Sequence, residues 1–147
     1  MVFTLTAASR ILNLNPSSIG WVRTFFNWAT HKFSTVVLVW LKGKRPRFIS
    51  RKAFYDYFVS SRKERATSVM ISPTGTPGTW NALSSGSQDW HAVSVEADHL
   101  RCTCHDYQKQ TEAFPSKLGA VACKHVFATL NTLGYVSLST YVAAQQA

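Results

Sequence analysis

The sequence predicts an α+β chain in two small units. A basic helix-and-hairpin unit is expected over residues 1–66, and a metal-organised ββα unit over residues 79–147, with a linker at 67–78. Three observations predict this. Charge is divided unevenly: residues 1–66 carry twelve Lys or Arg against Asp56 and Glu64, a balance of +10, whereas residues 67–147 carry four against five acids, a balance of −1. Just past that change, Ser72-Pro-Thr-Gly-Thr-Pro-Gly78 concentrates residues that favour turns over regular elements. Finally, all three cysteines lie between residues 102 and 123. The 147 residues are 46% hydrophobic and 13% aromatic, enough apolar material for packed cores and unlike a disordered chain.

In the first half, Thr4 or Thr6 can cap a short helix whose apolar positions Ala8, Ile11 and Leu12 have helical spacing. Asn13-Leu-Asn-Pro16 ends it. Ser17 and Ser18 are expected to start a second helix, with Ile19, Val22, Phe25 and Phe26 on one face. The aromatic residues Trp21, Phe25, Phe26 and Trp28 are expected to pack in a core or dimer contact rather than stack on bases. Thr35 to Leu41 is rich in β-branched residues and reads as a strand. Lys42-Gly-Lys-Arg-Pro46 is a turn and Arg47-Phe-Ile49 a return strand. Ser50 then caps a helix to about Arg65, with Ala53, Phe54, Tyr57 and Phe58 facing inward.

In the second half, Trp80 to Leu83 and Trp90 to Glu96 read as strands, and Ala97-Asp-His99 turns the chain into Leu100 to Cys104. The segment from Ala120 to Leu133 places Val121, Val126, Leu130 and Leu133 on a helical stripe that Gly134 stops. The tail after Ser137 is expected to add one short helix.

The cysteines form the pattern Cys102-Thr-Cys104, eighteen residues, Cys123-Lys-His125. An odd, clustered set does not suit a disulfide scaffold, whereas reduced compartments favour thiolates that bind metal. A structural zinc ion takes four thiolate or imidazole ligands in a tetrahedron. Residues 102 and 104, at a strand end, point to the same side. The pair 123 and 125, at a helix entry, brings in the other two ligands. Four protein ligands leave no open position for catalysis, and the His-x-Glu with Pro-Cys-x-x-Cys pattern of zinc deaminases is absent. His105 and Asp106 are candidates to support the ligands, and His105 to compete as one.

The Cys-x-Cys and Cys-x-His pairs, with Trp90-His-Ala-Val-Ser-Val before them and Val126-Phe-Ala-Thr-Leu after, resemble the SWIM zinc finger over roughly residues 79–134. That resemblance implies a ββα module built on one zinc, serving as a surface for DNA or protein rather than a reaction centre. In the spacer it makes Lys109, Phe114 and Lys117 candidates for a contact loop.

Thr4, Ala8, Leu12, Leu14, Ser18 and Ile19 resemble the framework of excisionase-like and MerR-like winged helix-turn-helix domains. Asn13 stands where glycine is often found and tolerates the left-handed conformation. This resemblance implies a second helix in the major groove of duplex DNA and a wing from Val36 to Ile49 on the backbone or minor groove. Ser17, Ser18, Arg23, Lys32, Lys42, Lys44, Arg45 and Arg47 are the candidate nucleic-acid contacts.

The basic half fits a polyanionic partner. Together the readings predict a zinc-containing DNA-binding protein acting as a transcriptional regulator or recombination accessory factor. The alternative is an adaptor whose finger binds a protein while the basic half holds nucleic acid loosely. No paired carboxylates, phosphate loop or nucleophile motif suggests an enzyme. The N-terminus lacks the features of a signal peptide and the run Val36 to Leu41 is too short to cross a bilayer. A cytoplasmic, nucleoid-associated location without membrane contact is therefore expected.

Overall fold

The computed structural model describes residues 2–96, 98–113 and 122–145. It is a mixed α+β protein that divides into two compact units, Met1–Ser61 and Arg62–Ala147. Among the described residues no helix is long and apolar enough to cross a membrane.

The first unit opens with helix α1, Leu5–Leu12. The Thr4 hydroxyl caps it by accepting from the Ala7 amide at 3.1 Å, and Asn13 ends it in the left-handed conformation, φ 53°. The Asn15 side chain then caps a single 3-10 turn, Pro16–Ser18, by accepting from the Ser17 amide.

The expected second helix is corrected to a strand. Residues Ile19–Asn27 form strand β1, paired antiparallel with β2, Lys32–Leu41, which pairs with β3, Arg47–Ser50. The spacing of Ile19, Val22, Phe25 and Phe26 suited a helix. However, Gly20 disfavours that state, and the β-branched and aromatic residues around it favour a pleated strand with β2 alongside. Without the second helix, the unit lacks the expected helix-turn-helix, whereas the hairpin expected from Val36 to Ile49 is present as β2–β3 of a three-stranded sheet.

Between the pairs Ile19↔Leu41 and Trp21↔Trp40, β1 advances two residues while β2 advances one. Gly20 is the extra residue of this bulge, which turns Ile19 inward and Trp21 outward. Ile19, Val37, Val39, Leu41 and Ile49 thus line one sheet face and share a core with Ala7 and Ala8 of α1 and Phe54 of α2, Arg51–Ala66. The Ser50 hydroxyl accepts from the Ala53 amide at the start of α2.

The second unit is built on an antiparallel sheet in the order β4-β5-β6-β7: Val69–Pro73, Thr79–Ser84, Trp90–Val95 and Leu100–Cys102. The expected linker is therefore structured. Val69–Pro73 is an edge strand with Met70 opposite Leu83, and the Pro- and Gly-rich stretch turns the β4–β5 hairpin, with Gly78 at φ 74°. Pro73 is tolerated at the end of that edge strand. Two helices flank the ligand region, α3, His105–Ala113, and α4, Lys124–Thr132, and α5, Leu138–Gln145, closes the unit. The core joins Ala82, Val93 and Leu100 of the sheet to Val126 and Leu130 of α4 and to Tyr141 of α5. Of the helix expected from Ala120, residues Ala120 and Val121 lie outside the described residues.

Candidate metal centre

Cys102, Cys104, Cys123 and His125 converge in the second unit, and all four are buried. Their ligand atoms lie within 4.8 Å of one another and could hold one metal ion. Each reaches the centre from a fixed element. Cys102 ends β7 and Cys104 immediately precedes α3. Between them, Thr103 is pinned to β6, its amide donating to the Ala92 carbonyl and its hydroxyl accepting from the Ala92 amide. Cys123 is the N-cap of α4 and His125 its second residue. The metal ligands therefore join the end of the sheet to the starts of two helices.

His125 is oriented from both sides. Its Nδ1 faces the sulfurs of Cys102 and Cys123 at 3.8 and 3.9 Å, while Nε2 lies 3.0 Å from the Ser84 hydroxyl at the end of β5. A metal ion on Nδ1 requires the proton on Nε2, which then donates to Ser84. The His91 ring packs 4.6 Å from that of His125.

The thiols are electrostatically unequal. Hydrogen bonds from Cys102 and Cys123 hold the Cys104 thiol well below its usual range, helped by the Tyr107 amide donating to its sulfur at 3.4 Å. The bond to Cys104 pushes Cys102 up to about 12. Cys123 is raised by its bonds to Cys102 and Cys104 and by burial.

The residues expected to support the ligands do otherwise. His105 is exposed and is not one of the converging four. Asp106 receives Nε and a terminal nitrogen of Arg62, at 3.0 and 2.6 Å, and so ties the end of α2 to α3. The partner that sequence reasoning missed is Ser84. Its role depends on sheet geometry 41 positions away from His125, and no local motif marks it. Lys109 lies on α3 rather than in a loop. Phe114 and Lys117 lie outside the described residues.

Compared with protein-family models, curated proteins and solved structures, the chain matches none.

The candidate nucleic-acid residues all fall in the first unit. Lys42, Lys44 and Arg45 occupy the β2–β3 turn and Arg47 starts β3, all exposed. Ser17 and Ser18 lie on the 3-10 turn, not on a groove-reading helix, and the Lys42 amide donates to the Ser18 carbonyl at 2.9 Å. These six therefore gather at one end of the sheet. Arg23 projects from β1 with its guanidinium 5.1 Å from the Trp21 ring centre. Lys32 stands apart, opposite Asn27 at the far end of the β1–β2 pair.

Proposed function

We propose that this chain is a zinc-containing DNA-binding protein in which the metal holds the second unit together and the basic first unit contacts DNA. The observation that carries the DNA reading is the charge division. Residues 1–61 carry nine Lys or Arg against Asp56 alone, and four of those cations crowd the exposed turn and strand from Lys42 to Arg47. A transcriptional or recombination accessory role is the setting in which such a protein would act. Insertion of a second helix into the major groove is no part of this reading, because residues 19–27 are a strand.

Zinc is the metal that the donor set favours: three thiols and one imidazole suit its borderline softness. Ligand atoms ~2.0–2.3 Å from a tetrahedral zinc stand roughly 3.5–3.8 Å apart, and the sulfur–Nδ1 distances of 3.8 and 3.9 Å are close to that. With four protein ligands the ion has no position for substrate, so its role is structural. The Cys-x-Cys and Cys-x-His spacing supports a SWIM-like module.

The test is fluorescence anisotropy with labelled DNA oligomers, single- and double-stranded, over a range of salt. Neutralising about five phosphates gives a log–log slope near −4 to −5 on duplex, and about −3.5 on single strands. The double variant Lys44→Glu, Arg45→Glu should weaken binding at least tenfold and flatten the slope. Unchanged binding by that variant, or no binding of any DNA by the parent, contradicts the reading.

A further inference from the structure

The face of the first unit's sheet turned away from its core carries large aromatic side chains that a monomer would ordinarily bury. Trp21 and Trp40 stand opposite each other on β1 and β2, and Phe48 of β3 stands opposite Leu38. Trp21 is 37%, Trp40 40% and Phe48 67% exposed. The two indoles are nearly parallel, with 10° between planes and centroids 5.9 Å apart. That is an offset arrangement, which leaves part of each ring uncovered.

The backbone is shaped for this. The bulge at Gly20 turns Trp21 outward, and a Cβ at position 20 would stand 2.6 Å from Cδ1 of Trp40, so the indole lies against bare glycine backbone. Cations border the rings: Arg23 stacks on Trp21, and Lys42 follows Trp40 closely in the chain where β2 gives way to the basic turn.

We infer that this face binds single-stranded DNA, with unpaired bases stacking on Trp40 and Phe48 and phosphates held by the cations of the β2–β3 turn. Exposed rings interleaved with Lys and Arg match the two chemical parts of a single strand, π-faces and phosphates. In a duplex the base faces are stacked on one another and offer these rings nothing. The charge of the unit argues against a basic or neutral protein partner on the same face. The inference rests on the DNA-binding reading above and adds the form of the strand.

The experiment uses the full zinc-loaded chain with a labelled 15-nucleotide oligodeoxythymidylate, a duplex of equal length and an oligouridylate. The single-stranded DNA should bind at least tenfold tighter than the duplex and quench tryptophan emission. Trp40→Ala and Phe48→Ala should each weaken it roughly 5- to 150-fold. Phe48 is exposed enough that its replacement preserves the fold, as circular dichroism will verify, so it decides the matter if Trp40→Ala is unstable. Duplex binding as tight as single-strand binding, parent-like binding by Phe48→Ala, or RNA binding tenfold tighter than DNA would overturn the inference. Failure of the DNA reading itself looks different, since no oligomer then binds.

Discussion

Ser84 and His125, 41 positions apart, meet through a 3.0 Å contact between the serine hydroxyl and Nε2 of the imidazole. The contact leaves Nδ1 directed at the cysteine sulfurs. It fixes both the rotation of the ring and the nitrogen left free to take a metal.

Removing that partner should loosen the centre without dismantling it. Ser84→Ala is expected to lower zinc affinity by about 10- to 100-fold, measured by competition with a chromophoric chelator. Ser84→Thr, which keeps the hydroxyl, should recover part of the loss. Affinity equal to the parent's in Ser84→Ala would show that the contact does not orient the ligand.

Zinc binding should release protons. In the metal-free chain, whose second unit is not folded, Cys102, Cys104 and Cys123 have ordinary thiol pKa values near ~8.5 and hold most of their protons at neutral pH. Zinc must displace them, so close to three should be released per ion and apparent affinity should rise with pH between 6 and 8. Titration in weak buffer with a pH indicator checks the count. Affinity independent of pH would contradict the thiol assignment.

In the first unit the sensitive point is a glycine. Gly20→Ala introduces no unfavourable φ, but its Cβ would collide with Trp40 Cδ1 at 2.6 Å. Displacing the ring should alter the near-ultraviolet circular dichroism and cost roughly 1–3 kcal/mol of stability, read from denaturant unfolding. A spectrum and midpoint identical to the parent's would mean that the indole does not rest on the glycine.

Features with their own chemical logic were legible in the sequence. The ligand quartet could be read because metal binding demands particular residue types at particular spacings. Thr4 and Asn13 could be read because caps have local signatures. The strand read from Thr35 to Leu41, the turn at 42–46 and the helix after Ser50 followed from β-branching, punctuation and period. The failures came where local signals served two outcomes. The apolar spacing of 19–27 suits helix or bulged strand, and pairing with β2 decided it. Pro and Gly at 73–78 read as a domain boundary, although the same residues turn a hairpin beside an edge strand. Helix α3 is tied in by Arg62 and Asp106, 44 positions apart, a contact that no window of sequence contains. Trp21 was expected in a core or dimer contact, and nothing in the sequence revealed that a bulge at Gly20 turns it away from the core of its own unit.

The claim that one zinc ion organises the second unit can be tested most directly by mass measurement under native conditions. The parent chain should carry one zinc, and Cys123→Ser should lose it together with much of the folded structure of residues 79–134, since structural zinc in small modules supplies ~10–16 kcal/mol of apparent binding energy. A parent chain that folds without metal, or a Cys123→Ser variant that stays folded without it, would contradict the claim.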